Sequence, residues 1–144
     1  MSVDGGLRAL FHRNLPRPHW QSIASGYTSL GIPDDNACHE GVEFWVEYKA
    51  TRAGSDSHLL STFRPEQVAW LLRRHRAGGR VFVATRRVVA PGRRRVAGDE
   101  LYLHSGEHAI ALKSRGLQGA PALGAWNGGP AGWDWDEVLR LLTK

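Results

Sequence analysis

Val42-Glu43-Phe44-Trp45-Val46-Glu47-Tyr48-Lys49 is followed, after a polar stretch, by Pro65-Glu66-Gln67-Val68-Ala69-Trp70-Leu71 and then by Gly78-Gly79-Arg80-Val81-Phe82-Val83. The first run reads as a β-strand over 42–49, rich in β-branched and aromatic residues. Side chains alternate across a strand, so Val42, Phe44, Val46 and Tyr48 share one face, which should pack against a helix, and Glu47 and Lys49 share the other. The second run predicts a helix over 65–77. Proline suits the first helical position, and Gly78-Gly79 supplies the stop. Val68, Leu71, Leu72 and His75 follow the spacing of a buried helical face. Arg73, Arg74 and Arg76 occupy the last turns, where cations complement the helix dipole. The third run predicts a strand over 80–85. A strand, helix and strand joined by short links form a right-handed crossover, which makes the two strands parallel. The expected fold class is therefore α/β, a small mixed sheet of four or five strands flanked by helices.

Working outward, residues 7–14 read as a short amphipathic helix with Leu7, Leu10 and Phe11 on one face, stopped by Pro16 and Pro18. Residues 19–29 read as an extended first strand. Residues 32–36 carry Asp34 and join the 42–49 strand through a hairpin over 36–41. A polar loop over 51–63 begins just after Lys49, where loops often touch substrate. Residues 86–98 hold Arg86, Arg87, Arg93, Arg94 and Arg95 around Pro91-Gly92, a basic hairpin or exposed loop. A further strand is expected at 101–103 and a short helix from Ala109, while 116–132 is rich in glycine and proline and reads as irregular. The chain closes as a helix over 134–143, with Asp134 as N-cap and an apolar stripe of Trp135, Val138, Leu139 and Leu142. Trp126, Trp133 and Trp135 are assigned to packing.

At 144 residues the chain is one domain, 1–144, large enough for a single core. It has no apolar run long enough to cross a membrane, and residues 1–10 lack the layout of a secretory signal. Cys38 is the only cysteine, so neither an internal disulfide nor a cysteine zinc site is expected. A cytoplasmic location follows as the expectation. The net charge is +5, and of 19 basic residues only Lys49, Lys113 and Lys144 are lysine. Arginine suits bidentate contact with phosphate. A compact ammonium at position 49 stands out in such a chain.

The hairpin brings Asp34 to the edge where Glu47 projects. Two carboxylates and one ammonium then converge. That is the equipment for metal-assisted hydrolysis of a phosphodiester: the carboxylates hold Mg²⁺ and Lys49 stabilises developing charge. Asp35, the neighbour of Asp34, must point elsewhere and is expected to face solvent or a turn.

The pattern resembles the PD-(D/E)xK nuclease superfamily, and within it the small phage and bacterial VRR-NUC-type nucleases. The residues that carry the resemblance are Gly31-Ile32-Pro33-Asp34 with Asn36, Phe44 to Lys49, Pro65 to Leu71 and Gly78 to Val83, within a region from Leu7 to Ala84. The resemblance implies a restriction-endonuclease-like fold. It implies that Asp34 and Glu47, with the backbone carbonyl of Tyr48, hold Mg²⁺, for which Mn²⁺ can substitute. It gives Lys49 the attacking water or the transition state, and Gln67 the scissile phosphate or Lys49. The activity implied is structure-specific cleavage of branched DNA, foremost a Holliday junction, by a homodimer in a bacterial host cell, with a phage-borne gene as one source. Arg86, Arg87, Arg93, Arg94 and Arg95 would track phosphates as a group, with steep salt dependence. No helix has base-reading character, which suits selection by shape.

The chain departs from the family at Ile23-Ala24, where phage relatives commonly carry Ile-Glu. Three explanations are open: a reduced ligand set, another acid such as Asp4 in its place, or an inactivated variant. Three rival functions stand beside the resolvase: a monomeric nicking or flap nuclease, a nuclease-derived DNA-binding module without catalysis, and an RNA-directed nuclease.

Overall fold

Six strands lie side by side in chain order: β1 (His19–Ser22), β2 (Asp35–His39), β3 (Val42–Arg52), β4 (Val81–Val89), β5 (Gly98–Ser105) and β6 (Gly124–Trp126). The structure is a computed structural model and describes residues 3–24, 30–52, 62–94 and 96–144. Only the β3–β4 pair is parallel, with Trp45 beside Val81 and Lys49 beside Thr85. The connection between them carries helix α2 (Pro65–Arg76), as a parallel pair requires. All other neighbours are antiparallel. The fold is α/β, a mixed sheet flanked by helices, consistent with a restriction-endonuclease-like sheet.

The strand alternation sorts the core into two layers. Helices α1 (Leu7–Asn14) and α4 (Trp135–Thr143) cover the face that presents Phe44, Val46, Tyr48, Phe82, Ala84, Leu101 and Leu103. Helices α2 and α3 (Ala109–Arg115) cover the opposite face with Val68, Leu71, Ala109 and Leu112 over Val81 and Val83. Trp133 is buried, and Trp126 and Trp135 pack against the first layer, as their assignment to packing anticipates. Asp134 caps α4 by accepting from the Glu137 amide. Of the expected buried face of α2, Val68 and Leu71 are buried, whereas His75 is half-exposed and pairs with Glu107 at 3.0 Å.

The sheet exceeds the sequence expectation: it has six strands rather than four or five, and β5 spans 98–105 rather than 101–103. β3 runs on to Arg52 rather than ending at Lys49. β6 lies within the stretch that reads as irregular. β4 continues through Arg86 and Arg87 to Val89 and returns as β5, so of the two readings of 86–98 the hairpin holds and Arg86 and Arg87 belong to its strand rather than to an exposed loop. The reason lies across the β4–β5 ladder. Arg86 donates to Asp99 at 2.8 and 2.6 Å, and Arg87 approaches Glu100 at 4.0 Å. Opposite charges across strands stabilise the pairing and remove the cost of charged side chains on a half-buried strand. Conversely, β1 ends at Ser22, and residues 25–29 of the expected first strand lie outside the described residues.

Candidate active site

Two consecutive aspartates are sent to opposite faces of the sheet. In the β2–β3 hairpin Asp35 pairs with Val46, a register that directs Asp34 toward Glu47. The turn of that hairpin is Glu40-Gly41, both with positive φ. Asp34 therefore meets Glu47 on the α2 side, and Asp35 lies with Tyr48 on the α1 side. The Tyr48 amide donates to Asp34 Oδ2 at 2.9 Å, and Arg8 of α1 reaches Asp34 Oδ1 at 3.5 Å.

Asp35 corrects a sequence expectation. It is fully buried rather than solvent-facing. The Ser22 hydroxyl donates to its Oδ1 at 2.8 Å, the Tyr48 hydroxyl donates to its Oδ2 at 2.6 Å, and His12 Nε2 lies 2.8 Å from Oδ2. A buried carboxylate needs such partners. Here they tie α1, β1, β2 and β3 together beneath the site. Burial and the nearby Asp35 push the Tyr48 hydroxyl well above the ordinary phenol range, so it stays a donor.

Glu47 and Lys49 are each only 2% exposed. Gln67, from the first turn of α2, joins them. Its Nε2 donates to Glu47 Oε1 at 3.1 Å, and its Oε1 accepts from Lys49 Nζ at 3.0 Å and from the Arg64 amide at 2.9 Å. The last bond caps the helix by the reciprocal arrangement that satisfies free amides at an N-terminus. One glutamine thus starts the helix and orients the site. Lys49 Nζ also donates to the Thr62 carbonyl at 2.8 Å and lies 3.5 Å from Glu47 Oε1. Beside Lys49 on β4, Thr85 is fully buried, and among the described residues its Oγ1 has no hydrogen-bond partner.

The electrostatics are those of charge confined in low dielectric. Desolvation, followed by repulsion from Asp34, raises Glu47 to about 8. Desolvation also raises Asp34, against the Tyr48 amide and Arg8. Burial lowers Lys49, countered by Glu47 and Asp34. Two adjacent carboxylates that resist ionising together form a donor set that a divalent cation would complement. Their oxygens, with the Tyr48 backbone beside them, fit Mg²⁺, which takes one or two carboxylates and keeps several waters. Among the described residues no group of three or more His, Cys, Asp and Glu side chains is placed to hold a metal ion, so Asp4 does not complete the pair. Its Oδ1 instead accepts from the Gly6 amide at the start of α1. Ala24 is exposed and follows Ile23, whose amide donates to the Asp34 carbonyl.

Gly31 sets the approach of this segment to α2. It adopts φ +81°, and a Cβ there would sit 2.3 Å from the Glu66 carbonyl oxygen. Gly31→Ala is expected to destabilise the fold by on the order of 3 kcal/mol, combining left-handed strain with displacement of the α2 N-terminus. Urea unfolding checks this, and an unchanged midpoint would show that the two segments are not rigidly apposed.

The structure places the members of the arginine group differently. Arg86 and Arg87 project to opposite faces and are engaged by Asp99 and Glu100. Arg86 also donates to the Gly5 carbonyl at 2.7 Å. Arg93 and Arg94 are exposed in the β4–β5 turn, and Arg95 lies outside the described residues, as does most of the polar loop, residues 53–61. Sequence reasoning missed Arg8, Thr62, Thr85 and the buried role of Asp35. Arg8 and His12 at i, i+4 mark one face of α1, but only the docking of that helix shows that this face meets Asp34 and Asp35. In comparisons with known proteins, no family model matches this chain and no curated protein is significantly similar to it.

Proposed function

We propose that this protein is a Mg²⁺-dependent endodeoxyribonuclease that hydrolyses phosphodiester bonds in branched DNA, with a four-way junction as its foremost substrate and a homodimer as its working form. The observation that carries the reading is the convergence of Asp34, Glu47, Lys49 and Gln67 on one sheet face, where β3 meets the start of α2. Asp34 and Glu47, with the Tyr48 carbonyl, would hold the metal. When bound, Mg²⁺ supplies Lewis-acid polarisation of the phosphoryl oxygen and a more acidic water. Gln67 holds Lys49 and Glu47 in register. The Lys49 ammonium supplies positive charge where negative charge develops on the phosphoryl oxygens. Asp34, with its side chain 30% exposed, forms the open side through which a phosphate reaches the buried pair. A two-fold dimer would match the symmetry of a four-way junction.

A DNA-binding module without catalysis is the second reading, favoured by an exposed alanine rather than an acid at position 24 and by a site that among the described residues has two carboxylates. The deciding experiment is Mg²⁺-dependent cleavage of a labelled four-way junction beside matched duplex and flap DNA, with the chain as given and Ala24→Glu in parallel. Symmetric junction cuts support the resolvase. Cuts only in flap or nicked substrates by a monomer favour the nicking reading. Cleavage only by Ala24→Glu marks the chain as a disabled nuclease. Tight binding without cleavage by either protein leaves the binding module.

Thr85 gives a separate check. Among the described residues its hydroxyl makes no hydrogen bond, so Thr85→Val should leave stability unchanged within about 1 kcal/mol. If the hydroxyl meets the substrate beside Lys49, cleavage should fall about 10-fold, as expected for one neutral hydrogen bond of about 1.4 kcal/mol. Equal cleavage by both proteins would remove Thr85 from the reaction.

A further inference from the structure

The last turn of α2 carries Arg73, Arg74, His75 and Arg76. Among the described residues no carboxylate pairs with Arg73, Arg74 or Arg76. This contrasts with Arg8, Arg64, Arg86, Arg87 and Arg140, each of which meets an acid. The helix dipole accounts for cations at this end. It does not account for the way Arg74 is held. Its guanidinium carbon lies 4.5 Å from the Trp70 ring centre and 5.4 Å from that of Trp45, and the two rings pack edge to face at 5.0 Å. Gly79 permits the fold-over, because a Cβ there would meet the Arg74 side chain at 2.6 Å. Arginine stacked on indole keeps its in-plane N–H groups available for phosphate. A surface cleft of about 610 Å³ opens here, lined by Trp70, Arg73, Arg74, Ala77, Gly78 and Gly79.

We propose that the C-terminal turn of α2 is a second DNA-contact surface, where Arg73, Arg74 and Arg76 hold the phosphate backbone of the arm flanking the cut bond and Arg74 is preset by Trp45 and Trp70. The proposal rests on the nuclease reading of the Asp34 site. Gln67 at the site and Arg74 in the patch belong to the same helix. Seven residues at 1.5 Å rise separate them by about 10 Å along its axis, a span of about three nucleotides in one strand. Arg73 and Arg74 line one cleft and Arg76 lies one turn on from Arg73, cations that among the described residues have no acid partner and fit a polyanion, whose approach the net charge of +5 favours.

The test is fluorescence anisotropy of a labelled four-way junction at several salt concentrations, in EDTA so that no strand is cut. Arg73→Gln/Arg74→Gln/Arg76→Gln should weaken binding at least about 10-fold and reduce the salt slope by about 2 to 3, because each lost phosphate contact removes about 0.9. A control removing the same charge elsewhere, Arg13→Gln/Arg17→Gln/Arg115→Gln, should change the slope by less than half as much. Arg74→Lys, which keeps the charge but loses the stacked fork, should still weaken binding several-fold. A wild-type affinity and slope in the α2 variant overturns this surface while leaving the cleavage reading intact. So does an equal effect of the control, or a loss of dimer without a loss of affinity. If the unaltered protein binds no DNA at all, the surface and the nuclease reading fall together.

Discussion

Lys49→Met is expected to lower the single-turnover rate of Mg²⁺-dependent junction cleavage by about 10²- to 10³-fold, with DNA affinity changed no more than a few-fold. That is the usual cost of removing one preorganised donor from a developing oxyanion. Methionine lacks only the terminal atom and keeps most of the volume of the side chain, so little cavity is created. What is lost is the ammonium that bonds to the Thr62 carbonyl and to Gln67 and sits beside Glu47. Removing that donor from buried acceptors costs about 1–3 kcal/mol of stability. Circular dichroism and an unfolding curve must therefore accompany the rate. Lys49→Arg is not expected to rescue cleavage, because a planar fork cannot occupy the space of a compact ammonium beside Phe63 and Gln67. A folded Lys49→Met protein that cuts at the original rate would remove Lys49 from the chemistry.

The second large effect is on stability against pH in the absence of metal. Glu47 is raised to about 8 in the folded protein, above its ordinary 4.5. Between those values the folded protein holds a proton that the unfolded chain has released. The unfolded state then binds fewer protons, and stability falls as pH rises through the window, by a few kcal/mol in all. Asp34, also raised, acts in the same direction above its ordinary 3.8. Lys49, lowered, acts oppositely, in the range below its ordinary 10.5. In EDTA the urea midpoint should therefore drop from pH 5 to pH 8. Glu47→Gln, which keeps the shape and loses the titration, should flatten the profile. Added Mg²⁺ should restore more stability at pH 8 than at pH 5.5, because it binds the ionised pair. A midpoint that climbs across this range, in parallel for both proteins, would show that Glu47 ionises freely in the fold.

The central unit was legible because its signals are local. Alternation over 42–49, proline and glycine at the ends of α2 and the short link into β4 need no tertiary information. They placed Glu47 and Lys49 on one strand face and Gln67 in the first turn of the helix that follows, and the parallel β3–β4 pair is what such a unit requires. The same period of two separated Asp34 from Asp35, though not the depth to which Asp35 is buried. Tertiary structure decided everything that depends on a partner distant in sequence. Arg86 and Arg87 read as part of a basic hairpin or loop, and only β5 shows that Asp99 and Glu100 come against them. Asp35 looks like a turn residue until α1 and β1 supply His12 and Ser22. Charges in a sequence are legible only as charges. Whether each is free for a ligand or engaged by the fold depends on desolvation and on the groups that packing brings within hydrogen-bond reach, and those are properties of the folded chain.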